Sequence, residues 1–130
     1  MGLSPARARR VLIVEDNPDN RLALHTLLEL WGYAVDEAPD GAQAIQLHLQ
    51  HRPEIALIDI GLPGISGYDV AKRIRSAPGG QPFLVALTGY GRTDDRRKAL
   101  EAGFDAHLVK PVDPVTLATV IEKAPSRISA

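Results

Sequence analysis

An α/β fold, a parallel sheet covered by helices on both faces, is predicted by three features of the sequence. Apolar runs of strand length at residues 11–14, 55–58 and 83–87 carry no polar alternation, as expected of strands buried on both sides. Segments with apolar residues at helical spacing lie between them. The joints are short and marked by Gly, Pro, Asn and Asp. Five strands alternating with five helices then form one sheet between two helical layers. No internal repeat and no second domain is visible.

Each element has its own signal. Residues 1–9, rich in Ala and Arg, read as a flexible lead-in or linker, a solvated stretch rather than a nucleic-acid arm. The folded domain spans 10–124. Val11-Leu12-Ile13-Val14 is the first strand, ended by Glu15-Asp16. Asn17 caps a helix with Pro18 in its first turn, where a missing N–H costs least. Leu24, Leu27, Leu28 and Trp31 make its apolar face, and Gly32 suits the left-handed residue that ends it. Tyr33 and Val35 alternate with Ala34 and Asp36, the weaker pattern of a strand near the sheet edge. Asp40 and Gln43 resemble a capping box for a second helix, with Ala42, Ile45 and Leu49 expected inside.

Ile55-Ala56-Leu57-Ile58 is the central strand, and it runs straight into Asp59. Gly61, Pro63 and Gly64 force the chain to turn just after that acid. Ser66 caps a third helix carrying Val70 and Ile74, and residues 77–80 form a loop. The strand at 83–87 ends at Thr88-Gly89. Thr93, Asp94 and Asp95 begin a fourth helix that Gly103 ends; with only Ala99, Leu100 and Ala102 as apolar content, it should be the least firmly packed. Residues 106–109 form the last strand, running into Lys110-Pro111. Asp113-Pro114 opens a final helix with Leu117, Val120 and Ile121 inward, and 125–130 read as a tail.

Composition removes several function classes. The chain has 130 residues, 45% hydrophobic, enough for one domain with a core. Fifteen Lys and Arg against sixteen Asp and Glu leave a net charge of -1, which argues against a nucleic-acid binder held by bulk electrostatics. There is no cysteine for a disulfide or a thiolate metal site. No apolar run approaches membrane-spanning length, and the first ten residues lack the apolar core of a secretory signal. A reducing compartment such as the cytoplasm is expected, with no membrane contact by this domain.

In a parallel sheet all carboxyl strand ends share one edge, where ligands and chemistry collect. That edge should gather Glu15-Asp16, Asp59, Thr88 and Lys110. Each acid alone could be a turn starter or helix cap. Together with a hydroxyl and a lysine they form a more particular set. Three close carboxylates raise one another's pKa unless a cation sits among them. Oxygen ligands without His or Cys favour Mg²⁺, which takes few carboxylates and keeps waters. A carboxylate beside such a metal, with a hydroxyl and a lysine, suits phosphoryl transfer, with Asp59 as nucleophile and Lys110 spreading charge on the phosphoryl oxygens.

The segments Leu12-Ile13-Val14-Glu15-Asp16-Asn17, Leu57-Ile58-Asp59-Ile60-Gly61-Leu62-Pro63-Gly64, Leu87-Thr88-Gly89 and Val109-Lys110-Pro111 closely resemble the receiver domain of two-component response regulators. The resemblance covers roughly residues 10–124, with four motifs in the right order and spacing. It implies a flavodoxin-like (βα)5 sandwich with strand order 2-1-3-4-5. It also implies that Asp59 accepts a phosphoryl group from the phosphohistidine of a histidine kinase or histidine phosphotransfer domain. Glu15, Asp16, Asp59 and the Gly61 carbonyl would hold Mg²⁺, Thr88 and Lys110 would bind the phosphoryl oxygens, and Lys110-Pro111 would be cis. The domain would be a phosphoacceptor switch whose only catalysis is its own phosphorylation and dephosphorylation. Thr88 would move on phosphorylation and reshape the face of the fourth helix, last strand and last helix, read by a downstream protein or by covalently linked kinase domains. Residues 58–70 and 103–113 look most like receivers attached to hybrid sensor kinases.

One position departs from the family pattern. Three residues before the lysine, where a Tyr or Phe ring usually swings with Thr88, stands His107. An imidazole switch with a pH-dependent signal and a half-exposed edge-strand histidine are both open readings. Gly61 and Tyr90 occupy the positions that tune dephosphorylation in the family. Gly61 offers no side chain to orient water and Tyr90 could cover the site, so a phosphoryl group longer-lived than in fast chemotaxis regulators is expected. Other classes fit less well. A phosphatase of the haloacid dehalogenase type needs a second aspartate where Gly61 stands. A flavodoxin would cradle phosphate where Glu15-Asp16 would repel it. A degenerate receiver serving as a docking module remains open. His25, His48 and His51 read as surface residues on helices.

Overall fold

The computed structural model describes residues 9–89 and 93–125 of the chain. The proposed lead-in up to residue 8, the tail beyond residue 125 and Tyr90 lie outside the described residues. Ten elements alternate: β1 (Arg10–Val14), α1 (Pro18–Leu30), β2 (Ala34–Ala38), α2 (Gly41–His51), β3 (Ile55–Asp59), α3 (Gly67–Ser76), β4 (Phe83–Thr88), α4 (Thr93–Ala102), β5 (Ala106–Val109) and α5 (Pro114–Glu122). The strands form one sheet of order β2-β1-β3-β4-β5, every neighbouring pair parallel. The weakly patterned β2 is an edge strand, as its sequence predicts, and β5 is the other edge.

Alternation along the strands sends side chains to two cores. Leu12, Val14, Ala56, Ile58, Leu84 and Ala86 face α2, α3 and α4, while Val11, Ile13, Ile55, Leu57, Val85 and Leu87 face α1 and α5. The central runs lack alternation because both faces are covered. Among described side chains α4 buries only Ala99 and Ala102, with Phe104 just beyond it, and Leu100 is 65% exposed. That thin interface agrees with its polar sequence.

Local chemistry sets the helix ends. The Asn17 side chain accepts the N–H groups of Asp19 and Asn20 at 2.9 and 3.0 Å. Ser66 and Asp113 cap α3 and α5 in the same way. Asp40 accepts the Gln43 N–H at 2.9 Å, but the Gln43 side-chain amide donates to the Asp40 carboxylate and does not accept the Asp40 backbone N–H, so the capping box is one-sided. Gly32 after α1 and Gly103 after α4 have φ of +93° and +106°, left-handed positions that close both helices.

Three expectations are corrected. α2 buries Gly41, Ala44 and His48, leaving Ala42 and Leu49 exposed and Ile45 partly covered. The helix is turned one residue from the hydrophobic reading, because it approaches α3 through Gly41. A Cβ there would come within 2.7 Å of Val70 Cγ2. That rotation carries His48 inside, to 1% exposure, so it is no surface residue. Trp31 stands at the C-cap of α1, 38% exposed, rather than in the buried stripe, which consists of Leu24 and Leu28. His25 is half-buried in ion pairs with Glu29 and Glu37, while His51 is exposed and paired with Asp36.

Candidate functional site

Parallel strands in this order bring their carboxyl ends to one edge of the sheet. There β1 runs into Glu15 and Asp16, β3 ends on Asp59, β4 on Thr88, and β5 runs into Lys110. Carboxylate oxygens of Glu15, Asp16 and Asp59 all lie within 4.8 Å of one another. Glu15 is 1% exposed and Asp59 7%, whereas Asp16 faces solvent. The acids predicted to converge do so.

The Lys110 ammonium meets two of these acids. Lys110 Nζ donates to Asp59 Oδ2 at 2.5 Å and lies 3.0 Å from Glu15 Oε1. Burial opposes its charge, but Asp59 and then Glu15 outweigh that and raise the Lys110 pKa above the ordinary lysine value. Burial raises the Glu15 carboxyl above its usual 4.5, and the charge of Asp59 adds to this. Hydrogen bonds from Lys110 and the Asn17 N–H oppose without cancelling it. Two backbone amides orient the acids: Gly61 N–H donates to Asp59 Oδ1 at 2.8 Å, and Asn17 N–H to Glu15 Oε2 at 3.1 Å. Glu15 Oε1 is buried with the Lys110 ammonium 3.0 Å away as its charged neighbour. An all-oxygen donor set of three carboxylates within 4.8 Å, with negative charge in excess of one lysine, fits a hard divalent cation such as Mg²⁺.

The other half of the edge is built by the β4–β5 ladder. Thr88 is 3% exposed; its hydroxyl donates to the Leu108 carbonyl at 3.4 Å and its carbonyl accepts the Lys110 N–H at 2.8 Å. The ladder thus carries threonine and lysine side by side. The Lys110-Pro111 peptide is cis, as the resemblance implies. Ala86 is in register with His107, and Thr88 is two residues beyond Ala86, so Thr88 and His107 share the face of the sheet that α4 covers. His107 is half-buried beside a cavity of about 230 Å³ lined by Arg96, Ala99, Leu100 and Phe104. Burial, helped by the charge of Arg96, lowers its pKa below 6.5 and keeps the imidazole neutral at pH 7. Gly61 is exposed at the rim. A second cavity, about 430 Å³, opens beside the acids between α1 and the segment after β5, lined by Glu15, Asn20, Leu24, Lys110, Pro111 and Val112.

A residue that sequence reasoning did not single out also shapes the site. Gly67, the first residue of α3, lies against the end of β3, where a Cβ would come within 2.4 Å of the Asp59 carbonyl oxygen and 2.5 Å of Ile60 Cα. The sequence signal was weak, a glycine directly after the Ser66 cap, where the start of a helix tolerates it.

Residues 11–122 match the response regulator receiver domain family. The chain is 38% identical over 102 residues to the two-component response regulator PhoP of Pseudomonas aeruginosa, a match covering 78% of this chain and 45% of that protein. It superposes with a TM-score of 0.83 and 31% identity on the receiver domain of the sensor histidine kinase PA1611 of Pseudomonas aeruginosa, a structure with a magnesium ion coordinated in the active-site cleft. That superposition covers 90% of this chain and 97% of the other. Its TM-score is 0.81, at 30% identity and 91% and 90% coverage, with a chain in the co-crystal structure of the Saccharomyces cerevisiae histidine phosphotransfer protein Ypd1 and the receiver domain of its downstream response regulator Ssk1. With a 2-1-3-4-5 parallel sheet, an acid triad and a lysine on its carboxyl edge, and this family match, the chain belongs to the receiver domains of response regulators.

Proposed function

We propose that this receiver domain accepts a phosphoryl group on Asp59 from a protein phosphohistidine. The reading is carried by three carboxylates within 4.8 Å of one another, two of which, Asp59 and Glu15, pair with the Lys110 ammonium. An Asp59 carboxylate oxygen attacks phosphorus in line, and the N–P bond of the phosphohistidine breaks. Its electron pair returns to the donor imidazole, which keeps one nitrogen free to take a proton from solvent. Glu15, Asp16, Asp59 and the Gly61 carbonyl hold Mg²⁺, which neutralises charge on the transferred group when bound. Lys110 is drawn from its pairing with Asp59 to the phosphoryl oxygens, and the Thr88 hydroxyl turns from the Leu108 carbonyl to the same oxygens.

That second movement couples chemistry to signal. Withdrawal of Thr88 opens room on the face it shares with His107, and the neutral imidazole turns inward, changing the surface of α4, β5 and α5. The slight packing of α4 makes it the element that adjusts. Gly61 and Tyr90 set the dephosphorylation rate. The domain runs over residues 10–124, is cytoplasmic, and serves as a phosphoacceptor switch rather than a turnover enzyme. The cavity bordered by Asn20, Leu24 and Pro111, which reaches Glu15 and Lys110 beside the acceptor, is where a histidine kinase or histidine phosphotransfer domain docks. Downstream, a protein partner or linked kinase domains read the switch, with no role for nucleic acid or membrane contact. Among the described residues no helix is long and apolar enough to cross a membrane.

The test is transfer from a histidine phosphotransfer protein carrying radiolabelled phosphoryl. Label should move to the wild-type chain within minutes when Mg²⁺ is present, and not to Asp59→Asn. Equal labelling of the variant would assign the acceptor elsewhere and defeat the reading.

A further inference from the structure

We infer that Arg21 is a positioning residue for the metal-binding acids, held in place by Glu37 on the edge strand. The inference rests on the reading of Glu15 and Asp16 as magnesium ligands. Both acids stand on the short segment between β1 and α1, and Arg21 grips the backbone of that segment at two successive carbonyls with its side chain, while its backbone N–H makes the first-turn helical bond to the next. Its guanidinium donates to the Glu15 carbonyl at 2.8 Å and reaches the Asp16 carbonyl at 3.4 Å, and its own N–H donates to the Asn17 carbonyl at 3.0 Å. From the other side the Glu15 N–H donates to the Ala38 carbonyl at the end of β2, at 3.1 Å. The Arg21 side chain and the end of β2 thus act from opposite sides on the peptide planes that carry Glu15 and Asp16.

Arg21 is itself held. Its Nε donates to Glu37 Oε1 at 3.1 Å, and the other Glu37 oxygen is taken by His25 Nδ1. The Arg21 side chain is 20% exposed and that of Glu37 31%, so the pair is partly shielded from water and from salt. The geometry needs the planar fork of arginine, which can serve a carboxylate with Nε and backbone carbonyls with its terminal nitrogen at once. A lysine ammonium lacks that fixed spread. Groups that orient ligand residues in this way commonly change metal affinity by about 10-fold to 100-fold when removed. The loop would remain tethered by the Asn17 cap and by Ala38, so the lower end of that range applies here.

The test is a Mg²⁺ titration of the full chain, followed by the amide shift of Gly61, whose N–H donates to Asp59. Arg21→Met, which keeps the apolar stem, should raise the Mg²⁺ dissociation constant about 10-fold. Glu37→Gln should raise it less, and its effect should vanish in the Arg21→Met background. Arg75→Met is the control for plain destabilisation. Arg75 ties the Gly103 and Pro82 carbonyls together at the opposite end of the strands, so its loss should lower the melting temperature and leave the Mg²⁺ affinity alone. Unchanged affinity in Arg21→Met, or an undiminished Glu37→Gln effect in the double variant, overturns the inference. Should Arg21→Met not fold, Glu37→Gln alone decides, and unchanged affinity there overturns it equally. A wild-type chain that does not respond to Mg²⁺ fails at the earlier step, the ligand reading itself, and takes this inference with it.

Discussion

Replacing Gly67 by alanine tests whether close contact between α3 and β3 holds Asp59 in position. The added methyl would meet the Asp59 carbonyl oxygen at 2.4 Å, Ile60 Cα at 2.5 Å and the Asp59 carbonyl carbon at 3.0 Å. All three are backbone atoms, so no side-chain rotation relieves the overlap. Overpacking costs about 1–3 kcal/mol, and an immovable neighbour places this case near about 3. At the first helical position alanine recovers at most about 1 kcal/mol of helix propensity over glycine, which leaves a net loss of at least about 2 kcal/mol. Urea unfolding followed by circular dichroism should show that loss, and the melting temperature should fall by about 8 °C. Because Asp59 is the residue displaced, Mg²⁺-dependent phosphorylation should slow even at temperatures where the variant is fully folded. Gly61→Ala is the matched control, since its nearest neighbour, Asp59 Oδ1, would be 3.5 Å away in ordinary contact. It should stay within about 0.5 kcal/mol of wild type. An unfolding midpoint for Gly67→Ala equal to that of wild type would refute the argument from close approach.

Three further perturbations follow from the electrostatics. Glu15 has its pKa raised by burial first and by Asp59 second, so the fold favours its protonated form and loses stability as pH rises through the folded pKa. Glu15→Gln should therefore remove this loss of stability with rising pH from the metal-free chain while weakening Mg²⁺ binding; an unchanged pH dependence of stability would contradict this. For His25, burial opposes protonation but Glu37 and Glu29 outweigh it, and the pKa rises above 6.5. Its contribution is then complete below pH 6.5 and disappears as pH climbs through the folded value, so the melting-temperature gap between wild type and His25→Gln should narrow from pH 6 to pH 9. His107 shifts the other way, by burial and then Arg96, so its stabilising share is present above pH 6.5 and lost as pH falls through the lowered value. Wild type should lose stability on acidification relative to His107→Tyr, whereas signalling output of the two should diverge with pH only on the acid side of 6.5. Parallel stability curves would remove His107 as a titrating group.

The elements and most of the acid edge were legible because each rests on a strong local signal. Double-sided burial removes alternation from residues 11–14, 55–58 and 83–87, and a strand that must turn at once after Asp59 shows its Gly and Pro. Asn17, Ser66 and Asp113 advertise helix starts through side chains that reach only two or three residues. What escaped depends on contacts between distant segments. The face of α2 is set by how closely Gly41 approaches Val70, and no hydrophobicity scale ranks His48 above Leu49 as the inward residue. Trp31 was misplaced because helical periodicity carries on past the residue where Gly32 stops the helix. Arg21 looks like any charge in a helix's first turn until β2 brings Glu37 beside it, 16 residues away in sequence. Gly67 reads as an unremarkable residue next to a cap until the end of β3 is seen beneath it.

The acceptor assignment is tested most directly by intact mass after incubation with acetyl phosphate and Mg²⁺, run beside Asp59→Asn and beside a sample with EDTA. Acetyl phosphate supplies the phosphoryl group without a partner protein, so the result reports on this chain's own residues. A single added phosphoryl group on wild type, absent from both controls, is the predicted outcome. Modification of Asp59→Asn to the same extent, or a wild-type chain that stays unmodified, would contradict the assignment of Asp59 as a metal-assisted phosphoacceptor.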